Sequence, residues 1–123
     1  QSEIARKFDI SRQAVNKSIK LHERDVMYRL LENAQTSGAL VEWFDASRGV
    51  LIGITPQLGN IPSLIVLDYN NRIRVYFDQS NNSDREIAIS TLNEMKEIIR
   101  SSLGIDARDE VSFRSILKKV YEG

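Results

Sequence analysis

The sequence predicts an α+β fold: an N-terminal helix-turn-helix, a long connecting helix, a four-stranded antiparallel meander and two C-terminal helices. Three observations predict it. Apolar residues recur at three- and four-residue spacing as far as Ala34, with no Gly or Pro before Gly38. Between residues 38 and 77, short runs rich in Val, Ile and aromatic residues are separated by turn-forming residues. From Ser83 onward helical spacing returns.

Residues 2–8 read as a short helix with Ile4, Ala5 and Phe8 on one face, and Asp9 and Ile10 make the turn. Ser11 is a good N-cap type, and Arg12, Gln13 and Ala14 open a second helix whose inner face is Val15 and Ile19. That helix either runs on through Val26, Leu30 and Ala34, for about 25 residues and roughly 37 Å, or is interrupted near residues 22–25. Strands are expected over residues 39–44 and 49–55, joined by Asp45, Ala46, Ser47 and Arg48. Residues 56–62 read as a loop with Gly59 and Asn60 at its centre. Residues 64–67 and 72–77 supply the other two strands. In the last, Ile73, Val75 and Phe77 alternate with Arg72, Arg74 and Tyr76, while Asn70 and Asn71 supply the positive φ angles of a tight turn. Ser83, Asp84, Arg85 and Glu86 form a capping box that opens a helix through Leu103, with Gly104 ending it and Ala88, Leu92, Met95 and Ile99 as its buried stripe. A last helix, from about Glu110, carries Phe113, Ile116, Leu117 and Val120 at helical spacing. The chain divides on this reading into a helix-turn-helix with its connecting helix, residues 1–37, and an α+β dimerisation or sensor domain, residues 38–123.

Composition bounds the function. With 41% hydrophobic and 28% charged residues, the chain has the balance of a globular domain rather than a disordered tail or a fibre. No apolar run approaches the roughly 20 residues that a transmembrane helix needs. Without a basic, apolar leader or any Cys, a cytoplasmic location is expected, and disulfide, thiolate-nucleophile and zinc-thiolate chemistry is excluded. The opening at Gln1, already inside a motif, points to a further helix upstream. Net charge is zero but unevenly placed: residues 1–36 hold seven basic and five acidic side chains, and the remainder holds ten and twelve. That asymmetry points to an anionic partner for the first part only.

The helix-turn-helix needs small and apolar residues at set steps, because two helices must cross within a turn of three or four residues. Ala5 is small at the crossing, and Ile4, Phe8, Ile10, Val15 and Ile19 fill the wedge. Asp9 stands where Gly is usual, and Asp tolerates the left-handed conformation better than most residues. Residues 1–20, with the Gln start, the motif Ala and the run Ala14-Val15-Asn16-Lys17-Ser18-Ile19, resemble the helix-turn-helix of phage Cro-type repressors and related bacterial and archaeal regulators. The resemblance ends at Lys20. It implies that the helix opening at Arg12 enters the major groove of double-stranded DNA with Arg12, Gln13, Asn16, Lys17 and Lys20 outward. Gln and Asn pair bidentately with adenine, and Arg and Lys with guanine. Gln1, Ser2 and Ser11, at helix starts, suit phosphates.

Other chemistry has little to stand on. His22 is the only histidine, which removes His-pair metal sites and a catalytic triad, and it reads as a packed or interfacial residue. Glu42, Asp45, Asp68 and Asp78 sit at strand ends, where acids form turns, and Gly49, Gly53 and Gly59 match no phosphate-binding spacing. Trp43, Phe44, Tyr69, Tyr76 and Phe77 suit core packing, with a small-molecule pocket as the alternative. No enzyme activity and no cofactor are therefore expected. The expected function is sequence-specific DNA binding by a homodimeric transcription regulator, with a protein-interaction module or an effector-sensing domain as the alternatives. A seam of His22, Val26, Leu30 and Asn33 along the long helix is assigned to the partner helix rather than to the chain's own sheet.

Overall fold

The computed structural model describes residues 12–123, with side chains from His22 onward. Its elements in order are helix α1 (Arg12–Thr36), strands β1 (Leu40–Asp45), β2 (Val50–Thr55), β3 (Ile61–Leu67) and β4 (Ile73–Phe77), and helices α2 (Arg85–Leu103) and α3 (Phe113–Glu122). The strands form one sheet in the order β1-β2-β3-β4, each antiparallel to the next. The chain is thus α+β, with three helices and a four-stranded antiparallel sheet among the described residues.

Both faces of the sheet are covered. Val50, Ile52, Leu64, Val66 and Tyr76 point to one side, where Met95 and Ile99 of α2 and Phe113, Ile116, Leu117 and Val120 of α3 bury them. Leu51 and Ile65 point to the other, under Val26, Leu30 and Ala34 of α1, with Ile73 and Val75 completing that face. The alternation predicted along β4 follows from this, because residues two apart share a face and the two faces meet different helices. The central strands are apolar at nearly every position, as expected of strands buried on both sides.

Helix α1 is unbroken for 25 residues. The seam assigned to a partner helix is corrected here: Leu30 is wholly buried and Val26 nearly so, both against the chain's own sheet. Sheet and partner competed for one apolar stripe, and the sheet, tethered a few residues away, needs no association entropy to reach it. His22 is exposed rather than packed, and Asn33 donates its side-chain amide to the Arg29 carbonyl one turn back at 2.9 Å. The second half of α1 therefore shares one core with the sheet.

β1, β2 and β4 each begin one residue later than expected and β1 ends one residue later, at Asp45; three further boundaries differ for a visible reason. β3 starts at Ile61 and includes Pro62, which pairs with Ile54 and accepts at its carbonyl from Asp78 N–H at 3.1 Å. A proline fits at that point because it lies beside the strand start, where one ladder donor is dispensable. The cap of α2 is Asp84 rather than Ser83; its carboxylate accepts from the Glu86 and Ile87 N–H groups. α3 starts at Phe113, not near Glu110, because Ser112 and Ser115 form a reciprocal capping box there. Along the α2 stripe Met95 and Ile99 are buried, whereas Ala88 and Leu92 are half-buried. At the sheet's first edge, a bulge between Val41 and Trp43 shifts the pairing of β1 with β2.

The α1–sheet contact predicts a contrast between two neighbouring residues. Leu30→Ala should destabilise the fold by about 2–5 kcal/mol, the range for an emptied core leucine, whereas Tyr28→Ala on the solvent side should stay within about 0.5 kcal/mol of wild type. Urea unfolding followed by circular dichroism measures both, and equal midpoints for the two variants would contradict this packing.

Candidate nucleic-acid interface

Of the residues expected to touch DNA, Gln1, Ser2 and Ser11 lie outside the described residues, as do Ile4, Ala5, Phe8 and Ile10 of the expected wedge. Arg12, Gln13, Asn16, Lys17 and Lys20 fall in the first turns of α1, with Val15 and Ile19 between them. These turns run on into the part of α1 that is seated on the sheet. Val26 lies at the sheet's near end, beside Gly49 and Leu67, and His22 and Glu23 still border the β1–β2 turn, so position 12 lies roughly 21 Å further along the axis than Val26 at 1.5 Å per residue.

Helical geometry relates the two halves. Eighteen residues make about five full turns, so positions 12, 13 and 16 come round to the same side of α1 as Leu30, Leu31 and Ala34. Those three pack toward the sheet. The sheet therefore lies on the same side of α1 as these three expected reading positions, displaced along the axis, and positions 15 and 19, eleven and seven residues before Val26, come round to that side as well. Its near end carries two turns. Residues 46–49 join β1 to β2, where Gly49 has φ of 66° and a side chain would press within 3.1 Å of Leu67 Cβ. Residues 68–72 join β3 to β4.

The second turn is tightly built. Asp68 is buried, and its carboxylate accepts from the Asn70 and Arg72 N–H groups and from Arg74 Nε, at 2.9, 2.9 and 3.0 Å. The hydrogen bond from the Arg72 backbone is the main cause that holds the Asp68 carboxyl below the usual carboxylate range, with the Arg74 guanidinium and the Asn70 N–H adding to it against the cost of burial. Asn71 alone takes the left-handed conformation, φ 63°, where both Asn70 and Asn71 were expected to have positive φ. A turn closed by the Asn71 N–H to Asp68 carbonyl bond needs only one such residue after it. Arg29 of α1 reaches across to this turn and donates to the Asn71 side-chain and backbone oxygens, both at 2.9 Å. Sequence reasoning identified Asp68 as a turn former but missed the Arg29–Asn71 clamp, since nothing in either residue's neighbourhood marks a partner 42 positions away.

The remaining candidates do not converge. Asp45 is bound by Ser47 and Arg48, whose hydrogen bonds hold its carboxyl low. Arg48 also donates to the Val120 carbonyl and lies over Trp43 at 5.4 Å. Trp43 meets Tyr121 with ring centroids 5.2 Å apart, and Tyr76 is buried in the core. Phe44 and Tyr69, expected inside, face outward; Tyr69 is 74% exposed at the tip of the β3–β4 turn. Tyr76 and Phe77 border one open cleft with Thr91 and Glu94, and among the described residues Trp43, Phe44 and Tyr69 do not join them there.

Because the Asp68 carboxyl is held low in the folded protein, its stabilising effect is full above the unfolded value near 4 and is lost as pH falls through the folded value. Thermal melts between neutral and strongly acidic pH should show wild type above Asp68→Asn at pH 7 and the two curves converging in acid. Parallel curves at every pH would mean that the carboxylate does not hold the turn. No family model, no curated protein and no solved structure matches the chain.

Proposed function

We propose that the protein is a sequence-specific, double-stranded-DNA-binding transcription regulator that acts as a homodimer. The observation that carries this reading is the sequence of residues 1–20, with its wedge of small and apolar residues and its outward Arg12, Gln13, Asn16, Lys17 and Lys20. The continuous α1 supports it mechanically. A reading segment built on the same helix as Leu30 and Ala34 is held by a packed core rather than by a linker, so a bound pose would be fixed relative to the rest of the chain.

Two-fold pairing follows from economy of contact, since one recognition helix reads only a few base pairs and a dimer doubles the site. With Val26 and Leu30 engaged by the sheet, a partner copy would have to meet other surface. Tyr28 on α1 and Leu40, Val41 and Phe44 on the edge strand are the exposed apolar side chains nearest that helix in sequence. Under this reading the operator is a palindrome with half-sites about 10 base pairs apart, or a multiple of that spacing.

The test is selection of bound genomic fragments followed by affinity measurement on the enriched site. Gln13→Ala and Asn16→Ala should each relax base preference by about 1–3 kcal/mol, whereas Lys20→Ala should weaken binding to all sequences alike. Unchanged preference in both Gln13→Ala and Asn16→Ala would overturn this use of the helix. Association that does not weaken with rising salt would instead favour protein contact by the same motif.

A further inference from the structure

We propose that the tip of the β3–β4 hairpin, residues 69–72, is a second DNA contact that grips the phosphate backbone beside the groove, a proposal that rests on the DNA-binding reading of residues 1–20. The sheet lies on the same side of α1 as positions 12, 13 and 16. Asn16 and Val26 are ten residues apart, which is roughly 15 Å of helix, and the major groove is about 12 Å wide. A reading segment seated in the groove therefore brings the near end of the sheet to the groove's rim, where the phosphates are.

What stands at that end is chemically suited to phosphate. Arg72 is exposed, and its guanidinium makes no ion pair or hydrogen bond among the described residues. The other arginines nearby are engaged: Arg74 with Asp68, Arg48 with Asp45 and the Val120 carbonyl, Arg29 with Asn71. Tyr69, the most exposed aromatic side chain of the described residues, stands on the same turn and has a hydroxyl donor for a phosphate oxygen. Asp68, the one carboxylate on the turn, is buried and already bound by three donors, so it presents little charge to an approaching phosphate.

The tip is also fixed in place before any ligand arrives. The Asp68 bonds set the turn, and the two Arg29 bonds tie it to α1, the helix that carries the reading positions. Little loop ordering remains to oppose binding. A contact of this kind positions the protein on the duplex and carries no sequence information.

Fluorescence anisotropy on a random-sequence duplex, titrated across a series of salt concentrations, tests it. Each phosphate contact contributes about 0.9 to the slope of log affinity against log salt. Arg72→Gln should therefore flatten the slope by about 0.9 and lower affinity equally on all sequences, and Tyr69→Ala, which removes no charge, should lower affinity while keeping the wild-type slope. Arg114→Gln, exposed on α3 against the other face of the sheet, should match wild type. An Arg72→Gln variant that melts like wild type and keeps the wild-type slope would overturn the hairpin contact while leaving the DNA reading standing. A wild-type protein with no salt-dependent affinity for the duplex would remove both.

Discussion

The contact of Val26, Leu30 and Ala34 with Leu51 and Ile65 is the constraint on which the rest of the structure depends. Burying one such aliphatic side chain is worth about 1.5–3 kcal/mol, and the stripe supplies several on one helix face. It covers a sheet face that would otherwise be an exposed apolar surface. It also sets the direction of α1, so that the first turns of the helix leave the sheet at the end occupied by the β1–β2 and β3–β4 turns. The Arg29–Asn71 clamp adds a polar fixture at the same end, but only because the apolar stripe has already brought α1 within reach.

Much of this was legible in the sequence where one physical signal dominated. The alternation of Ile73, Arg74, Val75 and Tyr76 assigned both faces of β4, and Gly104 marked the end of α2, where it has φ of 67°. Signals that competed were read less well. Ser83 and Asp84 are both good caps, and only the backbone geometry selects Asp84. Val26 and Leu30 announce an apolar seam without saying what fills it, because a partner helix and a sheet face demand the same residues at the same spacing. Contacts distant in sequence, such as Arg48 with Val120 or Arg29 with Asn71, leave no trace in a single chain.

The candidate interface divides along the same line. The reading residues were found from a motif, which is a local pattern. The turn at Asp68 was found from a residue type, also local. Their relation came from counting turns along one uninterrupted helix: the five-turn interval from Arg12 to Leu30 and from Asn16 to Ala34 is arithmetic on the sequence, but it has meaning only once the second residue of each pair is known to face the sheet.

The bulge between Val41 and Trp43 bears on how this molecule behaves in a crowded solution. An outermost strand with unpaired amides and apolar side chains is a template on which a like strand can add, and such addition is a route to aggregation. Here the regular spacing of those amides is broken midway along β1, next to the exposed carboxylate of Glu42. A second strand laid along that edge would lose register after two or three residues. Leu40, Val41 and Phe44 can therefore remain uncovered without the sheet growing sideways, and any stable association there must be made by side chains fitted to one another rather than by an extended ladder.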